Sequence, residues 1–154
     1  MDKLWAPWRM RYIKNTKGKK CIFCGGSKNK NKNYVLLKSN HSLAILNIFP
    51  YNNGHVMVAP LRHVKELSQL KNTEILDLFR ALNMVKGMLD KILKPDGYNI
   101  GINIGRSAGA GIPGHLHIHI VPRCNGDTNF MPILSNTKVI SQSLDELYKQ
   151  LKSC

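Results

Sequence analysis

The sequence predicts an α+β domain built on an antiparallel sheet of about five strands, with one long helix and a short C-terminal helix. Three observations predict it. Short apolar runs succeed one another instead of alternating with helices, a single long stretch repeats its apolar residues at three and four, and 154 residues suffice for one core. The first pair of strands is 34–37 (YVLL) and 43–47 (LAILN), split by the turn residues Ser39, Asn40 and His41. A loop from Pro50 to Gly54 leads into a third strand, 55–59 (HVMVA), which Pro60 closes. Over 73–93 the period changes: Ile75, Leu78, Leu82, Val85, Leu89 and Ile92 form one stripe of a helix covering one face of the sheet. Asn72 or Thr73 caps its start, and Pro95 with Gly97 stops the helix from continuing. Strands at 98–105 and 115–121 flank a Gly-rich segment from Gly105 to Gly114. Ser143 and Glu146 then form a capping box for a helix carrying Leu144, Leu147, Tyr148 and Leu151.

Composition narrows the function. Hydrophobic residues make up 43%, so the chain is not a disordered polyelectrolyte, and no apolar run approaches the roughly 20 residues of a membrane span. Trp5, Trp8, Arg9 and Arg11 interrupt any export signal, so a cytoplasmic protein is expected. The net charge of +14 is uneven, with +10 in residues 1–41. Much of that excess lies in GKK at 18–20 and SKNKNKN at 27–33, which lacks the stacking aromatics of a nucleic-acid site. Nucleic acid is therefore not expected as the main partner, and attraction of a polyanionic small substrate is the simpler use of the charge.

The chemistry concentrates in HLHIHIV at 115–121. Alternation puts His115, His117 and His119 on one face, each about 6.5–7 Å from the next, with Leu116, Ile118 and Ile120 facing a core. A polar outer face would account for the pattern, but three of the six histidines in the chain fill three successive positions. Imidazole is a neutral nucleophile near physiological pH. The preceding glycines would let backbone amides approach phosphate oxygens, so phosphate chemistry at His is the joint expectation. Cys21 and Cys24 form a Cys-x-x-Cys pair suited to a metal or to redox chemistry, while Cys124 and Cys154 have no spaced partners.

HLHIHIV matches the His-φ-His-φ-His-φ-φ signature of the histidine triad (HIT) superfamily of nucleotide hydrolases and transferases. With LWAPWRMRYI at 4–13, CIFC at 21–24, GHVMVAPLRH at 54–63, AGAGIPGHLHIHIVPR at 108–123 and GDTNFMP at 126–132, the chain resembles the bacterial branch that includes diadenosine tetraphosphate phosphorylases. The resemblance implies one HIT-like domain over 1–154: a basic N-terminal segment at 1–33, a core at 34–123 and a C-terminal extension at 124–154. It implies His117 as the nucleophile on the α-phosphorus, oriented by the backbone carbonyl of His115, and His119 as a phosphate or leaving-group contact. Asn103 with Gly109, Ala110 and Gly111 corresponds to the phosphate-contacting segment, and Asn47 to the ribose contact, although alone Asn47 reads as a strand-end turn residue. A structural zinc is implied at Cys21, Cys24, His63 and His115, with His55 the alternative third ligand. The competing readings are a helix cap for His63 and a free or redox-active thiol pair for the cysteines. Mg²⁺ has a place only with the substrate's phosphates.

Two departures bear on the reaction. Gly111-Ile112-Pro113 stands where many HIT hydrolases carry Gly-Gln-Ser/Thr, which favours the phosphorylase-like branch, and Cys124 stands where Trp is expected after VPR. The expected activity is cleavage or transfer of a nucleoside monophosphate from a dinucleoside polyphosphate. The alternatives are a phosphoramidase or hydrolase of AMP-linked compounds and, in another class, a nucleotide- or RNA-binding regulatory protein. A homodimer is also expected, because the sheet leaves an edge and Phe79, Met84 and Met88 widen the apolar face of the long helix. Those three could instead pack under Trp5 and Trp8.

Overall fold

The computed structural model describes residues 21–26, 34–127 and 139–154. The basic run at 27–33, Trp5 and Trp8, the motif at 4–13 and most of the one at 126–132 lie outside the described residues. The elements run α1 (Ile22–Gly26), β1 (Val35–Lys38), β2 (Ser42–Leu46), β3 (Val56–Pro60), a 3₁₀ turn (Leu67–Gln69), α2 (Asn72–Leu93), β4 (Gly97–Ile102), β5 (Ile118–Arg123) and α3 (Leu144–Lys152). They build one antiparallel five-stranded sheet in the order β1-β2-β3-β5-β4. The expected succession of strands and helices is therefore present, with α1 and the 3₁₀ turn added. Among the described residues no helix is long and apolar enough to cross a membrane.

The two faces of the sheet are covered differently. On one, Leu78, Ala81, Leu82, Val85 and Leu89 of α2 pack against Ala44, Leu46, Val56, Val58, Ile118 and Ile120, and Leu147 and Leu151 of α3 extend the same core. Each of these buried Val, Leu and Ile side chains contributes roughly 1.5–3 kcal/mol by leaving water. On the other, Phe23 of α1 joins Val35, Leu43, Ile45, Met57 and Ala59 in a second, smaller cluster. The stripe of α2 is narrower at its start than its period suggests, because Ile75 is exposed and only Leu78 onward meets the sheet.

Several boundaries move for local reasons. Helix α2 starts at Asn72, and its N-cap is Lys71 rather than Asn72 or Thr73. The Lys71 amide donates to the Glu74 carboxylate at 2.8 Å, so the Glu at the third helical position satisfies the N-cap amide as its half of a capping box. Lys94 ends the helix in the left-handed conformation, ahead of Pro95. Strand β5 begins at Ile118, three residues later than expected, because the Leu116 amide donates to the Val64 carbonyl at 2.7 Å and takes that stretch off the ladder. It also runs through Pro122, tolerated because β3 pairs only with Ile118–Ile120. Gly54 has φ +76°, and a Cβ there would lie 2.5 Å from Leu93 and 2.9 Å from Pro122. The loop between β2 and β3 can reach the end of α2 only with glycine at this position.

Candidate active site

His119 lies within β5, opposite Met57 of β3, on the face of the second cluster. His115 and His117 precede the ladder. All three are buried, at 1%, 3% and 9% exposure for His115, His117 and His119, so a polar outer face does not explain them. The rings also lean together: those of His117 and His119 stand 4.8 Å apart between centroids, closer than the strand repeat.

Their hydrogen bonds fix the protons. Nδ1 of His117 lies 2.8 Å from the backbone carbonyl of His115, and a carbonyl only accepts. Nδ1 of His117 therefore carries the hydrogen and Nε2 keeps its lone pair. The proton of His119 is set by His55, which is fully buried. Nδ1 of His55 accepts from the Tyr51 amide at 3.0 Å and faces the Asn47 side-chain nitrogen at 3.2 Å. The His55 hydrogen is therefore on Nε2, which donates to Nδ1 of His119 at 2.8 Å. That leaves the His119 hydrogen on Nε2, a buried atom with no hydrogen-bond partner among the described residues. A ring nitrogen with a free lone pair and a buried donor with no partner among the described residues thus sit on neighbouring rings.

Burial lowers the basicity of His117 despite its bond to the carbonyl. Burial, then the neighbouring His117, push His119 down to about 4 from 6.5. This gives a stability prediction. As pH falls through 6.5 the unfolded chain takes up a proton at His119 that the folded chain refuses until about pH 4, so up to about 3 kcal/mol is lost across that window. Urea denaturation at steps from about pH 7 to about pH 4.5 should show the decline, and it should be shallower in a His119→Asn variant. Equal slopes in the two proteins would contradict it.

The remaining expected residues are placed unequally. Asn47 lies one residue past β2, beside His55, and its side-chain oxygen accepts the Phe49 amide at 2.9 Å, so it shapes the turn as well as standing next to the site. Asn103 is half-buried one residue past β4; continuing the register Ile102↔Ile118 puts it opposite His117. The Gly109 and Ala110 amides bond within their own loop, to the carbonyls of Arg106 at 3.0 Å and Gly105 at 3.2 Å, and Gly111 comes next, half-buried. His55 and Tyr51 are members of the histidine cluster that the sequence does not reveal. Tyr51 stacks on His55 at 4.6 Å between ring centroids. The available signal is that His55 shares its face with Met57, two residues on, but only the β3–β5 pairing shows that this face meets His119.

A second cluster adjoins the first. Cys21, Cys24, His63 and His115 bring four donor atoms within 4.8 Å of one another. Nε2 of His115 donates to the Pro60 carbonyl at 2.8 Å, so its Nδ1 lone pair points at Cys21 Sγ (3.2 Å), Cys24 Sγ (3.7 Å) and His63 Nδ1 (3.2 Å). Cys24 Sγ lies 3.3 Å from His63 Nδ1. Ligand bond lengths around a tetrahedral zinc imply donor separations of roughly 3.3–3.8 Å, so the set has the right size and chemistry for a closed N₂S₂ site. His63 caps no helix, since the 3₁₀ turn is capped by Glu66. His55 does not belong to this set, because both of its nitrogens are engaged at Tyr51 and His119. Arg62, bonded through Nε to Glu74 at 2.9 Å, anchors the segment bearing His63 to α2.

A five-stranded sheet carrying this histidine cluster at the start of β5 is the arrangement of histidine triad proteins, and residues 28–126 match the HIT domain family model; the chain belongs to the HIT family. It is 34% identical over 161 aligned positions to the AP-4-A phosphorylase of Mycobacterium tuberculosis, covering 98% of this chain and 83% of that protein. It is 38% identical over 93 positions to the asymmetrical bis(5'-nucleosyl)-tetraphosphatase of Schizosaccharomyces pombe, covering 60% of this chain and 50% of that one. Among solved structures, a Zn-bound histidine triad family protein from Mycobacterium smegmatis superposes with a TM-score of 0.70 at 27% identity, covering 87% of this chain and 91% of that one.

Proposed function

We propose that this chain is a cytoplasmic nucleotidyltransferase acting on dinucleoside polyphosphates such as diadenosine tetraphosphate, through a nucleotidyl intermediate on His117 and with inorganic phosphate as acceptor. The observation that carries it is that a ring with a free Nε2 lone pair, His117, and a ring with an unsatisfied Nε2–H, His119, lie 4.8 Å apart between centroids. Nε2 of His117 attacks the α-phosphorus, the bond to the bridging oxygen breaks, and a nucleoside polyphosphate departs. The ring becomes cationic, and its Nδ1–H bond to the His115 carbonyl strengthens as it does so. His119 stays neutral and stabilises the developing negative charge as a hydrogen-bond donor. An ATP-like leaving group needs no full proton at neutral pH, so a neutral donor suffices. Phosphate then attacks the phosphorus and releases His117. Asn47 beside His55, and Asn103 with the Gly109–Gly111 loop, are assigned to the ribose and the phosphates; Mg²⁺ enters only with the substrate. Support for phosphorolysis comes from Ile112-Pro113 in place of the Gln-bearing motif and from the mycobacterial relative's name.

Diadenosine tetraphosphate incubated with and without inorganic phosphate tests this. ADP plus ATP, formed only when phosphate is present, is the expected outcome. AMP plus ATP in both tubes would replace phosphorolysis by hydrolysis, and intact substrate in both would point to a binding protein.

Zinc is assigned to Cys21, Cys24, His63 and His115. With four protein ligands it holds the fold and supplies no open coordination position. The packing of Leu147 and Leu151 into the main core supports one domain that includes the C-terminal extension.

The chain is further assigned as a homodimer across α2 and the edge strand β4. Leu76, Phe79 and Met84 of α2 and Ile100 of β4 are at least half exposed, and an apolar pocket of about 120 Å³ lies between Ile75, Phe79, Ile102 and Leu116. Met88 packs against the core, so Phe79 is the better probe. Phe79→Glu should sediment at about half the mass of the parent at micromolar concentration, while a parent that is already monomeric at 17.4 kDa overturns the assignment.

A further inference from the structure

We propose that Cys21 and Cys24 form a reversible disulfide that disarms His117 by dismantling the four-ligand cluster they share with His63 and His115. The proposal rests on the zinc and nucleophile readings above, and it adds a modification site and a route from that site to the reacting nitrogen.

The pair is built to close. Cys21 immediately precedes α1 and its carbonyl accepts the Gly25 amide at 2.9 Å, so Cys21 and Cys24 sit one helical turn apart. Residues three apart on a turn have their side-chain origins about 5–6 Å apart, against about 3.5–4.5 Å in a disulfide, so closing the S–S bond requires the turn that carries Phe23 to tighten by about 1–2 Å. The cluster is also open: His63 is exposed and both cysteines are half-buried, so a small oxidant reaches the sulfurs without unfolding. With a hydroperoxide as oxidant, one thiolate attacks the outer peroxide oxygen and breaks the O–O bond; the departing alkoxide or hydroxide takes a proton from water. The second thiolate displaces hydroxide from the resulting sulfenic acid and closes the disulfide. Two electrons pass from the sulfur pair to the peroxide, and the sulfurs no longer serve as anionic ligands.

Two contacts carry the change to His117. The first is His115, which supplies Nδ1 to the cluster and its backbone carbonyl to Nδ1 of His117. Loss of the cation and of both thiolates takes away the sulfur partners of His115 Nδ1 and leaves that lone pair only His63 Nδ1 at 3.2 Å, so the His115 ring is no longer held from the cysteine side and residue 115 is free to shift. The second is Phe23, which lies between the two cysteines in sequence and packs its ring against both His115 (5.0 Å) and His117 (5.1 Å). Drawing the two sulfurs together reshapes the turn that holds this ring. The cysteine pair is therefore linked to His117 through a single intervening residue in two ways, His115 and Phe23.

The test uses the full chain carrying Cys124→Ser and Cys154→Ser, so that Cys21 and Cys24 are the only thiols. Zinc-loaded protein is treated with hydrogen peroxide while four quantities are followed: zinc released to a chromogenic chelator, the Cys21–Cys24 disulfide by peptide mass spectrometry, the ¹⁵N–¹H resonance of His117 Nδ1, and turnover of diadenosine tetraphosphate. The expected result is one zinc released per disulfide, loss or large displacement of the His117 resonance, and a tenfold or greater fall in turnover, all reversed by a thiol reductant plus zinc. A disulfide with zinc loss but an unchanged His117 resonance and turnover overturns the proposal. So do thiols that remain reduced, and so does protein that never holds zinc. Absence of turnover before oxidation counts against the proposed reaction only, since the His117 resonance still decides the switch.

Discussion

Replacing His117 with Asn is expected to lower turnover of diadenosine tetraphosphate by at least about 10³-fold while leaving nucleotide binding and the melting temperature near those of the parent. Asn keeps an amide N–H that can still donate to the His115 carbonyl, 2.8 Å from Nδ1 in the native ring, but it offers no basic nitrogen to the phosphorus. The substitution thus separates the two jobs of the imidazole, holding its place and attacking. Calorimetric titration with a slowly reacting nucleotide analogue alongside the turnover assay distinguishes a lost nucleophile from a collapsed site. Activity within a few-fold of the parent would refute the covalent route, whatever the binding data show.

The second large effect is expected at the cysteine cluster. Protein purified without chelator should contain about one zinc per chain, and Cys24→Ser should lose it and melt on the order of 10 °C lower. The penalty is finite because the main core, from Leu78 to Leu89 against the sheet, contains none of these ligands. The second cluster around Phe23 bears the loss, since α1 is five residues long and has little else to hold it. Zinc-free parent protein with an unchanged melting curve in Cys24→Ser would leave the four residues as an accidental grouping.

The range of each signal decides how much of the molecule is legible in its sequence. The stripe of α2 and the alternation around Leu116, Ile118 and Ile120 are local periodicities, and the core uses them, Ile75 excepted. Helix α1 is invisible there because IFCGG is too short for a period and contains two glycines, residues that disfavour helix. The start of β5 differs from the expected one because a single bond, Leu116 to Val64, joins segments more than fifty residues apart. His55 escapes for the same reason. Its partner is 64 residues away and only the strand register brings them together. Cys21 and Cys24 are legible from their spacing as a pair suited to a metal or to redox chemistry, but His63 and His115 join them only through resemblance, with His55 as a competitor until the cluster brings His63 and not His55 to the sulfurs.

The acceptor that orients His117 belongs to the main chain, and this shapes how the protein can be dissected genetically. No codon change at position 115 deletes a carbonyl oxygen. An alanine scan would strip His115 of its imidazole and report the consequences of losing that side chain, while the atom that sets the tautomer of the neighbouring ring stays in the polypeptide, unscored. Removing it selectively calls for backbone chemistry, such as an ester linkage between residues 115 and 116, which weakens the carbonyl as an acceptor and keeps every side chain. That replacement also deletes the amide donated to Val64, so the tautomer lock and the departure of this segment from the sheet are encoded in a single peptide unit.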